Sequence, residues 1–250
     1  MRFQIFKYIP DHMIYVEPFL GGGAVFWNKT SADASIINDL DKKLISDYKL
    51  IKTASTDLSK YPSASDVDNL NKKTQLINKT NKNKYEKVVE AIIRRCGGFG
   101  STYVGDGKRI NAEGNKLYKN SDPIAKIKNI QLYKDKLKNT IIKSQDYRKL
   151  IKDYDTDKTF FYLDPPYENS KGLYKDYGMD YEEMAYILKN IKGKFALSIN
   201  GSPYIKKTFK DFKIVKLELK TSANYNESSK SKGIGNSFFK EREELLIMNY

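Results

Sequence analysis

The sequence predicts an α/β fold: a mostly parallel sheet flanked by helices, closed by an antiparallel terminal strand, with a smaller and mainly helical segment inserted. Three observations lead there. Residues 13–19 (MIYVEPF) are an apolar run that passes through a glycine turn, LGGG, into the helical pattern AVFWNK, the strand, turn, helix order of a βαβ unit. Residues 160–163 (FFYL) are a second apolar run, ended at once by an acid and two prolines that cannot donate to a ladder. Residues 213–219 alternate like a half-exposed strand, and residues 244–249 pair naturally with them as the last strand.

Taken in order, residues 1–9 place Phe3, Ile5, Phe6 and Ile9 at helical spacing, and Pro10 ends that helix. The glycine turn after the first strand lets backbone approach a nucleotide-like ligand, because nothing projects from a residue without Cβ; the same turn also serves as a plain tight connection. Residues 34–38 (ASIIN) form the next strand and run into Asp39, about twenty residues beyond Glu17, the spacing at which a βαβ unit presents a carboxylate to a ribose diol. Asp39 also precedes the helical residues 41–51, so capping that helix is its other reading, and the ribose reading is favoured. Residues 168–178, with Tyr174 and Tyr177, read as a polar lid, residues 181–191 as a helix, residues 195–199 as a strand and residues 222–243 as a mobile connection. His12 and Trp27, each the only one of its kind, are assigned to packing or surface.

The chain carries 45 basic and 31 acidic side chains, a formal net charge of +14. Residues 52–143 hold 20 of the basic and 9 of the acidic ones, whereas residues 1–51 are balanced, and so concentrated a surplus favours a polyanionic partner over a generally lysine-rich surface. Within that segment residues 69–84 are polar and solvated. Residues 85–96 form a helix with Val88, Val89, Ile92 and Ile93 on one side and Arg94 and Arg95 at its end, stopped by Gly97 and Gly98. Residues 99–120 interleave glycines, aromatics and cations, as in a loop or hairpin that enters a groove or, alternatively, a flexible basic surface loop. The candidate nucleic-acid contacts are Arg94, Arg95, Lys108, Arg109 and Lys116; Arg109 is the candidate base reader, because its planar fork suits guanine O6 and N7, and Lys116 a phosphate contact.

The corner at residues 164–167 sets a carboxylate, a proline carbonyl and a phenol ring at a strand's C-terminal end, where open α/β sheets hold ligands. The exocyclic amine of a nucleobase is a poor nucleophile because its lone pair is delocalised into the ring. Acceptors that pull on its two hydrogens pyramidalise the nitrogen. Asp164 and the Pro165 carbonyl supply two such acceptors, Pro166 stiffens the corner, and Tyr167 offers a face on which a base stacks. Read alone, these four residues also fit an ordinary strand end followed by a proline turn.

One cysteine, Cys96, excludes an internal disulfide and gives no support for a zinc cluster. No apolar run approaches the ~18 residues of a membrane span, and the first ten residues are too short and polar for a signal peptide. A soluble, cytoplasmic protein is expected.

Six stretches decide between these readings. VEPFLGGGAVF, IINDLDKKLISDY, SQDY at residues 144–147, LDPPY, KFALSIN at residues 194–200 and EELLIMNY resemble, in that order, the motifs of the DNA adenine-N6 methyltransferases of the Dam type. The resemblance covers most of residues 1–51 and 144–250, in the α motif order. It implies a Rossmann-like methyltransferase sheet formed by those two segments, a target-recognition domain at residues 52–143, S-adenosyl-L-methionine as cofactor, double-stranded DNA as partner and no metal. The implied reaction is methylation of the N6 amine of an adenine flipped out of DNA at a specific sequence, with a cognate restriction endonuclease as a possible companion. Residue by residue, it implies that Phe19, Gly21 and Gly23 contact the methionine part of the cofactor and Asp39 the ribose hydroxyls. Leu40 and Tyr147 flank the cofactor adenine with Asp146 beside them, and Glu17 and Asp164 belong to the same cofactor-binding set. Asp164, Pro165, Pro166 and Tyr167 carry the catalysis.

Members of the family usually begin with an aromatic residue and a Gly-Gly-Lys turn whose lysine helps hold the cofactor carboxylate. Met1 stands after that point, so the expectation is either a truncated sequence or cofactor binding without that lysine. Two rival functions stay open at this stage: an N4-cytosine or RNA amino-methyltransferase, and a non-catalytic nucleic-acid-binding relative. Retention of Asp39, Asp146 and Asp164 together argues against the second.

Overall fold

The computed structural model of the chain describes residues 2–62, 75–76, 78–96, 130–166, 179–217 and 243–250. Along the chain the elements are α1 (Arg2–Phe6), β1 (Ile14–Glu17), α2 (Ala24–Asn28), β2 (Ala34–Asn38), α3 (Lys42–Lys52), a 3-10 turn (Leu58–Lys60), α4 (Lys84–Cys96), α5 (Ile130–Leu137), β3 (Thr140–Lys143), α6 (Tyr147–Tyr154), β4 (Thr159–Leu163), α7 (Tyr181–Lys189), β5 (Lys194–Asn200), α8 (Pro203–Thr208), β6 (Lys213–Leu217) and β7 (Glu244–Met248). The fold is α/β, mostly parallel, with antiparallel terminal strands. It divides into two compact units, Met1–Pro18 with Ile151–Tyr250, and Phe19–Leu150.

In the first unit β4 is hydrogen-bonded in parallel to β1 on one side and to β5 on the other. All five of its residues are buried, which is why it reads as a continuous apolar run and not as an alternation. β7 pairs antiparallel with both β5 and β6, so the last strand in sequence stands between two earlier ones. Packed beneath are Tyr181, Met184, Ala185 and Leu188 of α7. Before β5 the chain needs a glycine: a Cβ on Gly193 would stand 2.7 Å from the Thr159 carbonyl. Asp155 holds that bend by accepting from the Lys192 and Gly193 amides at 2.9 Å. His12 packs its ring on Tyr15 and Phe160, in keeping with a packing role.

The second unit holds β2 and β3, parallel and in register from Ser35 with Thr140 to Asn38 with Lys143. α3 covers them with Leu44, Ile45, Tyr48 and Ile51, one helical face. α4 and α5 pack on α3, α4 through Val88, Val89, Ala91 and Ile92. β3 falls inside residues 52–143, so sheet structure begins before residue 144 on this side.

Several elements are shorter than their sequence pattern. β1 stops at Glu17 because Pro18 has no amide to donate, and β7 stops at Met248 because the Asn249 side chain turns back to bond the Phe195 amide and the Gly193 carbonyl. α1 covers five of the nine residues expected, and α4 begins one residue early. Among the described residues no helix is long and apolar enough to cross a membrane. Tyr167, Lys108, Arg109 and Lys116, the lid at 168–178, the stretch at 99–120 and the connection at 222–242 lie outside the described residues.

Candidate active site

The glycine turn between Phe19 and α2 is built by side chains that reach it from elsewhere in the second unit. Gly21 and Gly23 have φ of 47° and 65°, the left-handed region that costs any residue with a Cβ. At Gly23 the space is closed as well, since a Cβ would lie 3.1 Å from the Trp27 ring and 3.2 Å from the Tyr48 hydroxyl. A Cβ on Gly21 or Gly22 would meet nothing within 4 Å, so the outer side of the turn is open. Trp27 stacks on Tyr48 below the turn, and the Tyr48 hydroxyl donates to the Gly21 carbonyl at 3.3 Å. Trp27 is therefore a packing residue, as expected, but one that supports the turn.

Asp39 follows β2 directly. One of its oxygens accepts from the Gly21 amide at 2.9 Å and the other from the Asp41 amide at 2.9 Å. The helix cap is a different carboxylate: Asp41 accepts from the Lys43 and Leu44 amides and starts α3. Capping of α3 thus falls to Asp41, while Asp39 ties the glycine turn to the start of the helix segment. Next to it Leu40 is 41% exposed, an apolar side chain left at the surface beside a charge.

The SQDY stretch enters α6. Asp146 accepts from the Arg148 amide and from the Arg148 guanidinium, both at 2.8 Å, so its carboxylate shapes the helix start. Tyr147 is buried, with Phe19 5.3 Å away and tilted by 40° and the Arg148 guanidinium 4.9 Å over its ring. Phe19, Gly21, Gly23, Asp39, Leu40, Asp146 and Tyr147 thus all belong to the second unit. Two ties there carry no sequence signal of their own: the Tyr48 bond to Gly21, and a paired bond between the Asn38 side chain and the backbone of Gln145.

The first unit holds Glu17 and the corner formed by Asp164, Pro165 and Pro166, and the second also holds Arg94 and Arg95. Glu17 is buried at the end of β1 and accepts from the Tyr15 hydroxyl at 2.6 Å. Burial, and after it the charge of Glu17, pushes the Tyr15 phenol well above its ordinary range, so this ring keeps its proton and acts as a donor. Asp164 leaves the end of β4 partly exposed, Pro165 is buried and Pro166 is partly exposed. The Pro166 carbonyl is taken by the Tyr181 hydroxyl at 2.6 Å. Tyr181 is the first residue of α7 and is itself buried, a contact that residue spacing does not reveal. Arg94 and Arg95 lie in the last turn of α4, where only the backbone is described.

Residues 3–223 match the family described as D12 class N6 adenine-specific DNA methyltransferase. This chain belongs to that family. It is similar to the Type II methyltransferase M1.LlaDCHI of Lactococcus lactis subsp. cremoris, 26% identical over 94% of this chain and 86% of that protein. It is likewise similar to the Type II methyltransferase M.MjaIII of Methanocaldococcus jannaschii, 25% identical over 94% of the chain and 88% of the relative. A shorter match of 49 residues, 43% identical, joins it to a DNA N-6-adenine-methyltransferase of Escherichia phage P1, covering 20% of the chain and 6% of the phage protein. The family description, N6 of adenine in DNA, sets aside the N4-cytosine and RNA readings.

Proposed function

We propose that this adenine methyltransferase uses S-adenosyl-L-methionine to methylate N6 of an adenine flipped out of double-stranded DNA at a specific sequence. The observation that carries the proposal is the corner after β4: a fully buried strand delivers Asp164 to a partly exposed position, with Pro165 fixed in the core behind it. The second unit fits the cofactor. Its glycine turn has an open outer side, its Asp39 carboxylate stands at a strand end bonded to that turn, and Leu40 offers an exposed apolar surface for a heterocycle. When bound, the cofactor supplies an electrophilic methyl group on a sulfonium.

The chain's own residues do the rest. The Asp164 carboxylate and the Pro165 carbonyl accept the two N6 hydrogens and turn the nitrogen lone pair toward the methyl group, and the Tyr167 ring stacks on the flipped base. Asp39 accepts from the ribose hydroxyls, Phe19, Gly21 and Gly23 line the methionine part, Leu40 and Tyr147 flank the adenine with Asp146 beside them, and Glu17 completes the set. Positioning supplies most of the acceleration, because the donor is already activated. Residues 52–143 act as the recognition segment: Lys108 and Lys116 contact phosphates, and Arg109, with Arg94 and Arg95 as alternates, reads base edges. The Type II names of two relatives extend the proposal to a companion endonuclease blocked by the same methyl mark.

The test is nucleoside mass spectrometry of duplex DNA incubated with the protein and methyl-labelled cofactor. Label in N6-methyladenine supports the proposal; label in N4-methylcytosine, or in neither, overturns it.

A further inference from the structure

We infer that Asn38 is a positioning residue that fixes the geometry of the cofactor half of the site by tying the glycine turn to the SQDY loop. The inference rests on the reading that the second unit binds the cofactor. Asn38 is the last residue of β2, and it is 1% exposed. Its side-chain amide donates to the Gln145 carbonyl at 2.9 Å, and its side-chain oxygen accepts from the Gln145 amide at 2.9 Å. The backbone ladder between β2 and β3 ends where Asn38 faces Lys143, two residues short of Gln145. The side chain therefore adds one rung beyond the ladder, with the donor and acceptor of a neighbouring strand. Among side chains of this size an amide is the one that presents both in one plane at neutral pH, where a carboxylate offers acceptors alone.

The same residue holds the other segment by its backbone. The Asn38 carbonyl accepts from the Leu20 amide at 2.8 Å, and the next carboxylate, Asp39, accepts from the Gly21 amide at 2.9 Å. One residue thus fixes Leu20, which follows Phe19, and Gln145, which stands two residues before Tyr147. Phe19 and Tyr147 are the aromatic pair 5.3 Å apart. Without the Asn38 clamp the SQDY loop loses the bonds that set its distance from the glycine turn, while every residue implied to touch the cofactor is still present.

The full-length protein is titrated calorimetrically with S-adenosylhomocysteine. Asn38→Ala is expected to weaken binding about tenfold or more, from the loss of two part-buried hydrogen bonds. Asn38→Asp is the isosteric control. At about pH 8 its carboxylate sets an acceptor against the Gln145 carbonyl and binding is weak; toward about pH 5 the buried acid takes up a proton, regains a donor, and affinity returns toward wild type. Asp39 and Asp41 on the same segment, and Lys143, Asp146 and Arg148 around the clamped loop, are common to both proteins, so a parallel wild-type titration subtracts them. If wild type binds, Asp39→Ala weakens binding and both Asn38 variants bind as wild type at every pH, the inference fails and the cofactor reading stands. If wild type does not bind, both fall. Weak binding by Asn38→Ala through misfolding alone is separated by the Asn38→Asp series, which must recover on acidification for the inference to hold.

Discussion

At the scale of single residues, several ties of the candidate site run from a side chain to backbone: Asp39 to Gly21, Asn38 to Gln145 and Tyr181 to Pro166. Asp164→Ala is expected to leave less than about a tenth of wild-type turnover, a barrier rise above ~1.4 kcal/mol, with DNA affinity unchanged, because the role proposed for the acid is on amine hydrogens and not on phosphates. Single-turnover rates beside a DNA-binding titration measure both; turnover above that tenth would remove the acid from its role. The Tyr181 hydroxyl donates to the Pro166 carbonyl, one residue before Tyr167. Tyr181→Phe deletes that bond and keeps the ring. It should lower kcat about three- to tenfold, matching ~0.5–1.5 kcal/mol, and leave S-adenosylhomocysteine affinity as it was. An unchanged kcat would mean that the bond does not position the corner. Gly23→Ala combines a φ of 65° with a Cβ 3.1 Å from Trp27, so a loss of about 1–2 kcal/mol in urea unfolding is expected. Gly22→Ala, with open space around it, serves as the control and should unfold at the wild-type midpoint.

At the scale of elements, two carboxylates two residues apart divide the work. Asp41 caps α3, so Asp41→Ala should cost about 1 kcal/mol of stability and leave cofactor affinity intact; Asp39→Ala should weaken S-adenosylhomocysteine binding by on the order of 1.5–3 kcal/mol. Calorimetry and thermal unfolding of the pair separate the roles, and identical profiles would contradict the division. The sequence offers both acids just before a helical run and cannot say which faces the amides. What it does make legible is governed by burial. β2 appears with the bounds expected, because ASIIN is a compact apolar run closed by a polar residue. β3 does not: Thr140–Lys143 is four residues long, its Ile141 is 44% exposed, and it is a strand only because β2 lies beside it. α6 is hidden for a related reason, since its start depends on Asp146, a residue read first as part of a ligand site. Asn38 with Gln145, 107 residues apart, and Tyr181 with Pro166 leave no periodic trace; only the folded chain brings them together.

At the scale of the whole molecule, surface charge pairs set the response to acid. Lys79 beside Glu86 and Lys206 beside Glu243 hold those carboxyls below their ordinary values, chiefly by hydrogen bonds, and Lys189 does the same for Asp211. A group depressed in the folded state contributes stability above its unfolded value and loses it as pH falls through the folded one. Thermal unfolding should therefore be level from about pH 8 to about pH 5 and decline below about pH 4, by a modest amount because each of these carboxyls is at least partly open to solvent. A decline that begins near neutrality would assign the acid response to other groups. The order of the strands carries a different consequence, one of timing. β6 gains its described ladder from β7 alone, and β5 gains its second neighbour from the same strand. While the chain emerges from the ribosome, residues 194–217 wait with exposed ladder edges until residues 244–248 follow, so a product broken off before that point keeps two open edges and is marked for proteolysis or aggregation rather than for work on a genome.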